Sequence, residues 1–161
     1  MQFNNIMHVT FFTHQMDEMR RFYTEVLGGE VKIVTRAYLY KGHKKKRYAD
    51  IAEVDPNRII IMYIELAPGQ FIELFPAEDT QLPHPEWNAE VGYSHFALMV
   101  DDIYAARKEL EERGLAFDTE ISKGPSETYQ MWAHDPDGNK FEIMQYTDKS
   151  FQIVGNIMEE I

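Results

Sequence analysis

The sequence predicts an α+β fold made of two tandem βαβββ modules, and three observations predict it. A short apolar run, then apolar residues at helical spacing, then a glycine, occurs over 6–28 and again over 93–114. Three further strand-like runs follow each occurrence. Each half also closes with a tight turn between its last two strands and a glutamate four residues beyond the turn glycine.

The elements follow in order. Residues 6–12 read as a strand, and Met16, Met19, Phe22, Tyr23, Val26 and Leu27 mark one face of a helix. Thr13 is the expected N-cap, and Gly28-Gly29 ends the helix with the residue type that tolerates a left-handed backbone. Strands are expected over 30–39, 58–66 and 70–75, the last two joined by Pro68-Gly69. In the second half, 93–100 is the strand, Asp101-Asp102 offers the cap, and Ile103, Ala106 and Leu110 form the helix face. Gly114 stops that helix, and strands are expected over 116–121, 128–133 and 140–146, with Asp135-Pro136-Asp137-Gly138 as the final turn.

The 161 residues are expected to form a single domain, with module one over about 5–78, module two over about 90–147 and a tail over 148–161. The interval from His8 to Glu73 is longer than that from His95 to Glu142, and the surplus falls between Tyr38 and Arg58. There Lys41-Gly-His-Lys-Lys-Lys-Arg47 and Asp55-Pro-Asn57 break the pattern, which reads as a mobile loop. Residues 76–91, rich in proline, connect the modules; Ile153, Ile157, Met158 and Ile161 suggest a short covering helix in the tail.

Composition removes several classes of function. Hydrophobic residues at 44% and charged residues at 27% are globular values, far from those of disorder. A net charge of −11 opposes a phosphate-backbone partner, so no nucleic acid is expected. With no cysteine, any metal must be held by imidazole and carboxylate. The first residues lack a basic segment followed by an apolar one, and no run is long enough to span a bilayer, so no membrane and a cytoplasmic address are expected.

Two histidines and two glutamates occupy matching places in the repeat: His8 and His95 in the first strands, Glu73 and Glu142 in the last. Strand side chains alternate between faces, and the opposite face, Met7, Val9, Phe11, Ile72, Leu74, Ser94, Phe96, Leu98, Phe141 and Ile143, is apolar in all but Ser94. A helix would cover that face. The four polar residues then share the other one with Thr10, Phe12, Phe71, Phe75, Ala97, Met99 and Met144. Burying two carboxylates there without a counter-charge would cost several kcal/mol each, by order of magnitude, or force protonation. A divalent cation removes that cost, and two neutral imidazoles with two carboxylates balance its charge. Taken singly, such a histidine is more often a hydrogen-bonded core residue and such a glutamate a solvated strand end. It is the four repeat-equivalent positions that favour the metal.

Met7-His8-Val9, Phe22-Tyr-Thr-Glu-Val-Leu-Gly28, Phe71-Ile-Glu-Leu74, Gly92-Tyr-Ser-His-Phe-Ala-Leu98 and Asp135-Pro-Asp-Gly-Asn-Lys-Phe-Glu-Ile143 resemble the vicinal oxygen chelate superfamily, and within it glyoxalase I. The resemblance runs over about 6–147. It implies the glyoxalase/bleomycin resistance/dioxygenase-like fold, with curled sheets forming a cleft commonly completed across a homodimer. It also implies one divalent ion per site, zinc or nickel, on His8, Glu73, His95 and Glu142, which fall on the family's ligand positions. Extradiol dioxygenases share the two histidines and the last glutamate without needing Glu73, and methylmalonyl-CoA epimerases commonly have glutamine there. Glu73 therefore favours the glyoxalase reading.

The substrate so implied is the hemithioacetal of a 2-oxoaldehyde, isomerised to a 2-hydroxyacyl thioester through an enediolate. Glu142 would be the base, with Glu73 on the other side. One departure stands out: glutathione-using relatives often have an arginine four residues after the first histidine, and this chain has Phe12, which implies poor use of glutathione. Alternatives within the superfamily are an epimerase, a dioxygenase, or an antibiotic-sequestering protein with no chemistry. His14, His43, His84 and His134 read as surface residues, Lys44-Lys-Lys-Arg47 as a solvated run, and Tyr129, Met131 and Trp132, on a hairpin strand at the expected cleft, as core first and substrate contacts second.

Overall fold

A computed structural model describes residues 4–83 and 85–156. They divide into two compact units, the first ending at Pro83. In the first, β1 (His8–Thr13) leads into α1 (Met16–Arg21), which continues as a π-helical turn, Phe22–Val26. Then come β2 (Glu30–Arg36), a 3-10 turn (Ala37–Tyr40), α2 (Lys46–Val54), β3 (Ile59–Ala67) and β4 (Gln70–Pro76). In the second, β5 (Phe96–Met99) is followed by α3 (Ile103–Glu112), β6 (Ser122–Lys123), β7 (Tyr129–His134), β8 (Lys140–Gln145) and α4 (Phe151–Val154).

The two sheets have the same topology, β1-β4-β3-β2 and β5-β8-β7-β6. In each, the first strand runs parallel to the last, and the last three form an antiparallel meander. The expected α+β class and the repeated βαβββ order are thus observed. Alternation explains the cores: Phe11, Ile72 and Leu74 of the first sheet, and Phe141 and Ile143 of the second, are buried. Met19 from α1, Tyr23 from the π-helical turn and Ile103 from α3 are fully buried as well. Each such side chain contributes roughly 1.5–3 kcal/mol. The expected apolar face is incomplete at one end, where Met7 is exposed.

Helix ends follow local chemistry. Asp102 caps α3 as expected, accepting from the backbone N–H groups of Tyr104 and Ala105. Thr13 does not cap α1: it ends β1, its hydroxyl accepts from Gln15 N–H, and Gln15 holds the cap position without a side-chain capping bond to the helix. Gly28 adopts φ +78° after the π-helical turn.

Four further expectations need correction. The basic stretch is not a mobile loop throughout, since α2 packs Ala52 with Ala37 and Ile60 into a small core flanked by Tyr40, Tyr48 and Ile51. Residues 116–121 do not form a strand: Phe117 makes one bridge to Ala133, and the Thr119 hydroxyl accepts from Trp132 N–H where a backbone carbonyl would in a ladder. The second module's first strand begins at Phe96, one residue after His95. The tail helix spans only Phe151–Val154; Ile157, Met158 and Ile161 lie outside the described residues, as does His84. No helix among the described residues is long and apolar enough to cross a membrane.

Candidate metal centre

Each unit brings one histidine to one glutamate. In the first, His8 Nε2 is 3.5 Å from Glu73 Oε2; in the second, His95 Nε2 is 3.8 Å from Glu142 Oε2. Their exposures match closely. The imidazoles are about a third exposed, 36% and 35%, whereas both carboxylates are buried, at 8%. Among the described residues no three His, Cys, Asp or Glu side chains group together, so what the structure assembles are two pairs, each inside its own unit.

The register explains the pairing. Glu73 lies opposite Thr10 on β1 and Tyr63 on β3, and Glu142 opposite Ala97 on β5 and Trp132 on β7. Each histidine stands two residues before the strand position opposite its glutamate, on the same face. An aromatic ring then closes edge-on against each imidazole: Tyr63 at 5.7 Å from His8, Trp132 at 4.7 Å from His95. Trp132 therefore belongs to this face, not to the core; Met131, one residue earlier, is the buried neighbour.

Polar partners differ between the pairs. The Thr10 hydroxyl donates to Glu73 Oε2 at 2.7 Å. Burial, followed by hydrogen bonding to Glu73 and the charge of that carboxylate, pushes the Tyr63 phenol up to about 12. Glu142 has no such donor opposite it. Burial pushes its carboxyl above the usual range, and His95 pulls it part of the way back.

The second histidine carries an orienting chain. Ser94 Oγ donates to Asn88 Oδ1 at 2.8 Å, so toward His95 Nδ1, 3.0 Å away, it can only accept. That holds a proton on Nδ1 and leaves Nε2, the atom turned toward Glu142, as the ring nitrogen through which a metal would be bound. His8 has only Met7 Sδ, a weak acceptor, 3.1 Å from its Nδ1. The spacing also suits a cation: two ligand atoms each about 2.1 Å from one tetrahedral ion stand roughly 3.4 Å apart.

Two cavities lie away from these four residues. One of about 130 Å³ backs onto Ser94, Asn88 and Trp87; one of about 330 Å³ sits by Thr13, His14 and Arg58. Neither includes His8, Glu73, His95 or Glu142. The other histidines among the described residues take other partners: His14 Nε2 faces Gln81 O, His43 Nδ1 accepts from Lys45 N–H, and His134 pairs with Asp118. Arg47 is no freely solvated charge. Its guanidinium donates to Pro76 O at 2.7 Å, pairs with Glu78 at 2.9 Å and stacks over Phe12 and Tyr48.

A sequence model described as Glyoxalase/Bleomycin resistance protein/Dioxygenase superfamily matches residues 5–143. The chain belongs to this superfamily. A probable lactoylglutathione lyase of Vibrio parahaemolyticus serotype O3:K6 (strain RIMD 2210633) is similar at 26% identity over 152 residues, covering 93% of this chain and 96% of that protein. Among solved structures, a glyoxylase/bleomycin resistance protein/dioxygenase domain from Frankia sp. EAN1pec matches with TM-score 0.65 and 19% identity, covering 95% of this chain and 99% of its own. A glyoxalase family protein from Enterococcus faecalis matches with TM-score 0.64 and 23% identity, over 88% and 98% of the two chains. Lactoylglutathione lyase from Agrobacterium tumefaciens gives 0.57 and 17%, over 88% and 93%. These structural likenesses establish the superfamily's fold.

Proposed function

We infer that this superfamily member is a divalent-metal isomerase of the glyoxalase I type, acting on the thiol hemithioacetal of a 2-oxoaldehyde. One observation carries the reading: the same imidazole–carboxylate pair stands at the same register position on the same face of both sheets. Two such pairs make a set of two nitrogens and two carboxylates, suited to zinc or nickel. The printed name of the Vibrio relative agrees with this reading. The ion, when bound, supplies Lewis-acid stabilisation of negative charge developing on the substrate's oxygens.

The chain's own residues do the rest. His8, Glu73 and His95 hold the ion. Glu142, buried and without a hydroxyl donor opposite it, takes the proton from the hemithioacetal carbon and returns it to the adjacent carbon, giving a 2-hydroxyacyl thioester without redox change. Phe12, exposed on the same strand face as His8, offers a ring where a thiol peptide's carboxylate would want a cation. The Arg47 guanidinium above it is already engaged by Glu78 and Pro76. Glutathione is therefore a poor co-substrate in this reading. The working form is a homodimer, which sedimentation at micromolar concentration would test.

The deciding experiment follows solvent deuterium into a 2-oxoaldehyde thiol adduct on zinc- or nickel-loaded protein. Exchange is expected, with Glu142→Gln lower by at least about a hundredfold. Absence of exchange with every thiol adduct tried would transfer the chain to the dioxygenase or binding-protein branch of the superfamily.

A further inference from the structure

The two carboxylates share a register position but not an environment. Across the first sheet the row Thr10, Glu73, Tyr63 places a hydroxyl on each side of the carboxylate. Thr10 donates to it at 2.7 Å, and Tyr63 stands directly across from it on β3, its phenol raised by burial first and then by the neighbouring Glu73 carboxylate. Across the second sheet the matching row is Ala97, Glu142, Trp132. Neither neighbour there has an oxygen to donate from, and the Trp132 ring packs against His95 instead. The repeat thus contains its own internal control: same strand positions, same histidine, hydroxyls present in one copy and absent from the other.

A carboxylate held by one hydroxyl and faced by a second from the opposite strand has few orientations left, which suits a ligand that must stay in place. A base that carries a proton from one carbon to the next must be able to swing. Resting on the metal reading above, we propose that Thr10 and Tyr63 are positioning residues that lock Glu73 as a permanent metal ligand, and that Ala97 and Trp132 leave Glu142 as the mobile base. Outer partners of this kind orient the ligand atom, and their loss typically weakens metal binding about 10- to 100-fold.

The test is calorimetric titration with Co²⁺, together with the visible absorption of the Co²⁺-loaded protein. Thr10→Val and Tyr63→Phe are each expected to weaken Co²⁺ binding about 10- to 100-fold and to shift the absorption bands. Thr10→Ser, which keeps the hydroxyl, should restore both. Ala97 is exposed, leaving room for Ala97→Thr to place a hydroxyl beside Glu142. That variant should bind Co²⁺ as tightly as the parent yet slow deuterium exchange. A parent protein that takes up no Co²⁺ overturns the metal reading and the clamp with it. A parent that binds Co²⁺, with Thr10→Val and Tyr63→Phe binding equally well, overturns the clamp alone. An unchanged exchange rate in Ala97→Thr overturns the assignment of mobility to Glu142.

Discussion

Nδ1 of His95 donates to the hydroxyl oxygen of Ser94 across 3.0 Å, because the serine's own proton is committed to Asn88. Ser94→Ala should therefore let the imidazole change tautomer and turn. Zinc affinity is expected to fall about 10- to 100-fold with little change in melting temperature, read by calorimetric titration beside a thermal scan. Asn88→Ala should act in the same direction and more weakly. Equal zinc affinity in Ser94→Ala would show that the imidazole is held by other contacts.

Asp118 gives a pH-dependent prediction. Burial alone would push its carboxyl up, but hydrogen bonds from Lys140 and His134, with their charges, outweigh that and hold it below its ordinary 3.8. A carboxyl depressed in the fold adds stability above its unfolded value and loses it as pH falls through the folded value. Asp118→Asn should thus cost about 1–2 kcal/mol at neutral pH, with the gap from the parent closing only in strong acid. Urea unfolding at several pH values measures it, and a gap that persisted undiminished in strong acid would contradict the assignment.

Arg47 should tie α2 to the end of β4. Its side chain is 29% exposed and joins Pro76 O, Glu78 and two aromatic faces. Arg47→Ala is expected to destabilise the protein by about 1–3 kcal/mol. It should also increase proteolytic cutting within 37–58, detectable by mass spectrometry of limited digests. Arg47→Lys should recover little, since a lysine cannot reproduce the planar stacking.

Gly29 is a packing position. A Cβ there would lie 2.8 Å from Ile64 Cγ2, Leu66 Cδ2 and the Tyr23 carbonyl oxygen. The last is backbone and cannot rotate away. Gly29→Ala should cost about 1–3 kcal/mol in denaturant unfolding. Gly42→Ala, with nothing near its Cβ but φ +73°, should show only the smaller cost of backbone strain.

Much of this architecture was legible in the sequence because the module is written twice. One His–Glu pair is a coincidence; its recurrence at matching places is a pattern, and the alternation around His8 and Glu73 assigned them a face that the register bears out. What was not legible depends on contacts across strands. Tyr63 sits in an apolar run, IIIMYI, where nothing local distinguishes it; only the β3–β4 register sets it opposite Glu73. Ser94 and Asn88 act through loop geometry, with Asn88 at φ 61°. The helix over Lys46–Val54 was hidden by its basic leader, although Tyr48, Ile51 and Ala52 carry helical spacing. Residues 116–121 failed as a strand because a threonine hydroxyl took a carbonyl's place.

In both sheets the first strand is the terminal one, bonded along one side to the last strand of its module. In the first module that strand carries His8, and its parallel neighbour carries Glu73. A cation gripped by both side chains would rivet the two strands together beside the backbone ladder and the Thr10–Glu73 hydrogen bond that already join them. Metal occupancy should then be readable far from any substrate, as slower amide hydrogen exchange along His8–Thr13 and Gln70–Pro76. The ion would serve the sheet as a fastener before it serves a reaction.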